Sequence, residues 1–155
     1  MARKSYNEKL HNTGDLPKIE DLSEKPESVR RFGGDKLLVA APMQYNEIMA
    51  KIPEGKIITV DRIRNYLAAQ AGANATCPLT AGIFINICAH ASLERDQDQI
   101  PYWRTLKTNG ELNEKYPDGI PGQKDLLEKE GHRVIQKGKR YFLENYENKL
   151  ASLIP

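Results

Sequence analysis

The side chains with the most chemical potential in this chain stand together at Ile100-Pro101-Tyr102-Trp103-Arg104. A phenol, an indole and a guanidinium follow one another directly after a proline. As a reactive set it is poor. A tyrosine with its ordinary pKa near 10 is a weak nucleophile at neutral pH, and an indole cannot act as a base. The two cysteines, Cys77 and Cys88, lie in an apolar stretch away from any CxxC or Cys/His pattern. They read as reduced, part-buried thiols of a cytoplasmic protein. No metal-ligand cluster, phosphate-cradling glycine loop or nucleophile–base pair is visible, so the residues imply neither metal nor cofactor.

The elements around this segment must be fitted into 155 residues, enough for one domain with a modest core. Hydrophobic content of 39% and charged content of 28% describe an ordinary globular composition. A formal net charge of +2 neither demands nor excludes nucleic acid. No apolar run is long enough for a membrane span. Met1-Ala2-Arg3-Lys4-Ser5-Tyr6 has no apolar segment behind it and does not read as a secretory signal. Residues 1–42 read as an irregular N-terminal extension, broken by Gly14, Pro17, Pro26 and Gly33-Gly34; residues 43–155 form the compact domain.

Inside that domain Ile48, Met49 and Ile52 suit a short helix. Ile57-Ile58-Thr59-Val60 is β-prone, and Thr59 or Asp61 then caps a helix with Ile63, Leu67 and Ala68 on one face. Ala71-Gly72-Ala73-Asn74 breaks it, and a second helix runs from about Cys77 to Ala91. Two helices joined by a short glycine-containing turn make a helix-turn-helix candidate. Ile100 to Lys107 reads as extended, Thr108 to Glu111 as a turn, and Tyr116 to Gly122 as a long loop. Gln123 to Glu130 reads as a helix. Val134-Ile135 and Tyr141-Phe142-Leu143 then flank Lys137-Gly138-Lys139 as a hairpin, and Asn145 to Leu153 reads as a last helix. The expected class is α+β, mainly α: a winged helix-turn-helix domain with a short β-hairpin wing.

Several of these segments, in this order, resemble the C-terminal domain of the O6-alkylguanine-DNA alkyltransferases. Ile52-Pro53-Glu54-Gly55-Lys56-Ile57-Ile58-Thr59 is similar to that family's Ile-Pro-x-Gly-x-Val-x-Thr opening. Ala81-Gly82 falls where its recognition helix has Val-Gly, and Pro101 and Arg104 frame its Pro-Cys-His-Arg signature. Asn109-Gly110, Tyr116 and Gly119 match the loop that walls its alkyl pocket. Lys124 to His132 resembles its Lys-x-x-Leu-Leu-x-x-Glu-Gly helix end. The match spans about residues 43 to 134.

The resemblance puts Tyr102 where active members have the acceptor cysteine and Trp103 where they have the activating histidine. Of that triad only the glutamate is matched, at Glu130. The helix-start tyrosine that presses on a phosphate becomes Val60, and the arginine that fills the space of a flipped base becomes Leu79. What this implies is an alkyltransferase-like protein without alkyl transfer. It would bind duplex DNA, with alkylated guanine as the implied lesion and excision-repair proteins as implied partners. The rival reading is a degenerate domain used as a protein-interaction module.

The site residues divide accordingly. Thr76, Leu79, Thr80, Ala81 and Gly82 open the second helix; the resemblance implies that this stretch, rich in small side chains, approaches a narrow minor groove, the alternative being that small residues pack helix against helix. Ile83-Phe84-Ile85-Asn86-Ile87-Cys88 beyond them reads as buried. Arg104 and Lys107 are the accompanying phosphate contacts, although Arg104 equally suits a structural fork to backbone carbonyls. Tyr102, Trp103, Tyr116, Gly119 and Glu130 line the expected lesion pocket, with the alternatives that one aromatic is core and that Glu130 serves the helix end. His132-Arg133 and Lys137-Gly138-Lys139-Arg140 form a basic stripe, either for phosphate or a solvated hairpin face.

Overall fold

A computed structural model describes residues 5–153. Residues 1–4, which begin the expected extension and the segment read for a signal, lie outside the described residues. No described helix is long and apolar enough to cross a membrane. The class is mixed α and β, with helices predominating and sheets of two or three short strands.

The centre is a helical pair. Helix α4 (Val60–Ala71) buries Ile63, Leu67 and Ala68, one stripe of its surface. It stops at Gly72, whose φ of 69° and ψ of 26° is the left-handed conformation that glycine adopts without a Cβ clash. The turn carries strand β4 (Ala75–Thr76), and helix α5 (Pro78–Glu94) follows with proline in its first turn. Both breaks fall where glycine and proline place them. Helix α3 (Pro42–Met49) lays Tyr45 and Met49, each 0% exposed, against α5.

The expectation of irregular chain before residue 43 is corrected over residues 6–39. This segment forms helix α1 (Tyr6–His11), strand β1 (Lys18–Asp21), helix α2 (Pro26–Phe32) and strand β2 (Lys36–Val39). Strand β2 pairs antiparallel with β1 and parallel with β4, giving a sheet ordered β1-β2-β4. The turn between α4 and α5 therefore rests on chain from the N-terminal part. Asn74 clamps this join: its N–H donates to the Lys36 carbonyl at 2.9 Å and its Oδ1 accepts from the Lys36 N–H at 3.0 Å. A Cβ on Gly34 would collide with the Asn74 side chain, which explains a glycine there. Helix α1 opens with a Ser5–Glu8 capping box. The Glu94 carboxylate, at the end of α5, accepts from the Tyr6 and Asn7 N–H groups at 3.0 Å each, and Leu10 is buried beneath.

The second half is a smaller core of Ile57, Leu106, Leu112, Leu127 and Leu143. Strand β3 (Ile58–Thr59) pairs parallel with β5 (Thr105–Leu106). Helix α6 (Gly119–Lys129) begins earlier than expected. Asp118, at φ 62°, turns the chain, so Gly119 to Gly122 belong to a helix rather than to a loop. Strands β6 (Val134–Lys137) and β7 (Arg140–Leu143) form the antiparallel hairpin around Gly138. The expected last helix is corrected to one 3-10 turn, Tyr146–Lys149. Asn145 is left-handed at φ 56°, and the backbone beyond pairs instead with Ile57: Ile57 N–H donates to Lys149 at 2.9 Å and Ala151 N–H to Ile57 at 2.8 Å.

Candidate nucleic-acid interface

The signature segment is not the extended strand its sequence suggests. Tyr102–Arg104 is a 3-10 turn, followed by β5. Adjacent side chains therefore do not alternate between two faces. Tyr102 is 4% exposed, and its ring meets the rings of Trp103 and Tyr116 edge-on, with centroids 5.4 and 5.3 Å away. Tyr116 is buried too and donates to the Thr105 carbonyl at 2.9 Å. Burial raises both phenols above their ordinary range; the Asp118 carboxylate adds to the effect at Tyr102. Tyr102 and Tyr116, expected to line a lesion pocket, are instead buried ring against ring.

Arg104 and Glu130 are likewise internal. The guanidinium donates through Nε and Nη2 to the Glu130 carboxylate, the shortest contact being 2.7 Å, and through Nη1 to the Ile52 carbonyl at 2.7 Å. Trp103 Nε1–H donates to the same carboxylate at 3.0 Å. With side chains 13% and 7% exposed, neither Arg104 nor Glu130 is available to a phosphate or a base. Burial pushes the Glu130 carboxyl up, but the bonds from Arg104, Trp103 and Gly55 N–H outweigh it and hold the group below the ordinary carboxylate range. The indole occupies the donor role beside this glutamate without being able to move a proton.

An open cavity of about 480 Å³ lies elsewhere, between α5 and the loop after β5. Its walls include Val60, Leu79, Gly82, Ile83, Asn86, Lys107, Glu111, Asn113, Lys115 and Arg140. Tyr102, Trp103, Tyr116, Gly119 and Glu130 are not among them. Leu79 is 73% exposed and Ile83 47%, at the rim of the cavity. Residues 79, 82, 83 and 86 recur at helical spacing along one face of α5. The expectation that α5 is buried beyond Gly82 is corrected by that stripe. Thr76 and Ala81, expected among the residues that approach DNA, are buried. Thr76 is 2% exposed, its hydroxyl donating to the Arg64 carbonyl at 2.7 Å, and Ala81 is 0% exposed. Thr80 is half-buried, and Lys107 stands at the cavity.

The basic stripe is partly neutralised. Arg140 makes a two-pronged contact with Glu111, at 3.0 and 2.7 Å, and Arg133 pairs with Glu144 at 3.4 Å. His132 is 6% exposed, and among the described residues no group bonds either ring nitrogen. Burial lowers its pKa from 6.5, Lys149 and Arg104 lower it further, and Glu130 acts in the opposite sense. The unfolded chain therefore takes up this proton first as pH falls, and stability drops below about pH 6.5. Urea midpoints at pH 7.5 and 5.5 should show this loss, and His132→Leu should reduce it; an equal loss in a folded variant assigns the effect to other groups.

Cys88 is buried, its thiol donates to the Pro42 carbonyl at 3.5 Å, and desolvation pushes its pKa up to about 12. It is unsuited to serve as a replacement acceptor. Cys77, part-exposed, is the N-cap of α5. Among the described residues no group of His, Cys, Asp and Glu could hold a metal ion.

Two solved structures share this architecture. One is S. pombe Atl1 in complex with damaged DNA containing O6-carboxymethylguanine, at a TM-score of 0.52. The other is S. pombe ATL in complex with DNA, at 0.53. Each is 21% identical, and the match covers 72% of this chain and 94% of theirs. The chain shares its fold with these two proteins. No protein-family model matches the chain, and no curated protein matches it by sequence.

Sequence reasoning missed Asn86, Glu111 and Asn113 as cavity residues. For Asn86 a signal existed, since it lies seven positions beyond Leu79 on the same helical face. Glu111 and Asn113 carried none, because their place depends on how the loop after β5 folds back toward α5.

Proposed function

We propose that this chain is a non-catalytic duplex-DNA-binding protein, a winged helix-turn-helix in which α5 is the recognition helix and β6–β7 the wing. The observation that carries the reading is the stripe of exposed Leu79 and Ile83 with half-buried Gly82 and Asn86, bordering a cavity of about 480 Å³ among Arg64, Lys107, Lys115 and Arg140. The glycine allows close approach, and Leu79 is apolar bulk of the kind that wedges between base steps in the minor groove. The cations supply the phosphate attraction. Atl1's complex with damaged DNA supports extending the reading to alkylated guanine, which would enter the cavity beside α5 rather than the filled space at Tyr102.

Duplex affinity should fall steeply with salt, with a log–log slope of roughly −2 to −3 for two or three neutralised phosphates. Leu79→Ala should weaken binding on the order of tenfold by removing apolar burial. Labelled O6-methylguanine DNA should leave no label on the protein. Stoichiometric labelling would overturn the non-catalytic reading. Absent duplex binding would transfer the Leu79–Ile83 stripe to the interaction-module reading.

A further inference from the structure

The cavity beside α5 contains a donor and an acceptor whose orientations are settled by their neighbours. Asn113 is held on three sides. Its N–H donates to Gln123 Oε1 at 2.6 Å, its Oδ1 accepts from Lys115 N–H at 3.0 Å, and its Nδ2 donates to Asn86 Oδ1 at 2.8 Å. Because the Lys115 bond requires the Asn113 oxygen, the Asn113 amide must present its nitrogen to Asn86, and Asn86 must present its oxygen in return. Among the described residues the Asn86 Nδ2 donors then have no partner. Across the same cavity the side chain of Glu111 is 12% exposed. Arg140 takes one lone pair from each of its oxygens, through Nε at 3.0 Å and Nη2 at 2.7 Å. Each oxygen keeps a second acceptor site. Leu79, Ile83 and Pro78 supply apolar wall between these polar ends.

We propose that this cavity reads the hydrogen-bonding edge of a base extruded from duplex DNA, with the Glu111 carboxylate selecting bases that carry an exocyclic amine and Asn86 donating to the neighbouring ring acceptor or carbonyl. The inference rests on the DNA-binding reading above. Cytosine, adenine and guanine all present an amine donor beside an acceptor, and O6-alkylguanine keeps its own amine. Thymine places carbonyl oxygens on both sides of its single N–H, and these repel a carboxylate. The Glu111–Arg140 pair holds the acceptor ionised and fixes it against the hairpin.

The test uses the full chain and four duplexes that differ only in one unpaired nucleotide: dC, dA, dG or dT. The amine-bearing three should bind about tenfold tighter than dT, in line with one well-placed side-chain-to-base contact. Glu111→Ala, measured on the same duplexes, should close the gap; this series also removes differences in the intrinsic cost of extrusion. Glu111→Gln keeps the shape and should narrow the gap, and it serves if the alanine variant does not fold. Arg140→Ala should weaken all four duplexes and leave the gap in place. Equal binding of all four by the wild type overturns the base reading alone, as does a gap that stays undiminished in a folded Glu111 variant. Failure to bind any duplex overturns the DNA reading, and this inference with it.

Discussion

Glu130→Ala should lose about 3–5 kcal/mol of folding stability, the usual cost of removing one partner from a buried ion pair. The variant leaves the Arg104 guanidinium 13% exposed with no carboxylate, and strands the Trp103 indole N–H. Most of the loss is the penalty of an uncompensated buried charge rather than the net worth of the bridge. Urea unfolding at neutral pH measures it. A loss below about 1 kcal/mol, the range of surface bridges, would mean that the network is solvated in solution. The pair also predicts an acid limb. Because the folded carboxyl lies below its ordinary value, the stabilisation is present above about pH 4.5 and disappears as pH falls through the folded pKa. The Glu130→Ala protein should lack that part of its acid sensitivity.

Tyr102→Ala should cost a similar amount, about 3–5 kcal/mol, the range for deleting a large aromatic from a core. The ring contacts both Trp103 and Tyr116. Its removal leaves a space that Tyr116, tied to the Thr105 carbonyl, is not free to fill. Thermal unfolding reports the loss. Adding indole should recover part of the melting temperature, because a ligand that binds the folded state alone stabilises it by mass action. A near-neutral substitution would show that the ring is not packed as described. Tyr102→Cys would inherit the same burial and lack a neighbouring base, so it restores no alkyl transfer.

Tyr102 and Trp103 also show how far the sequence could be read. Their types ruled out thiol and imidazole chemistry at the signature, and the structure agrees with the bland alternative for Arg104, a fork that includes a backbone carbonyl. Their geometry was not legible. Whether Tyr102 lines a space or fills it depends on a 3-10 turn and on the loop carrying Tyr116. Gly72 and Pro78 announced the α4–α5 break because their backbone preferences are local. Strand β2 was not legible at Leu37-Leu38-Val39, since its partner β4 lies far along the chain. The tail failed for the same reason: periodicity at Tyr146, Leu150 and Leu153 suggested a helix, but pairing with Ile57 prevailed. Thr76 looked like a surface residue by type alone, and a single carbonyl, Arg64, made its burial tolerable.

The parallel join of β2 to β4 has a consequence for synthesis. Leu37 and Leu38 leave the ribosome well before Ala75 and Thr76, the residues that give them an inner edge. At about 5–20 residues per second the nascent chain carries that apolar strand unpaired on one side for seconds. Strand β1 is already made by then, and its Lys18, Glu20 and Asp21 line the other edge with charge. A polar escort translated ahead of a sticky strand keeps emerging chains from pairing with one another until the helical turn arrives to claim it.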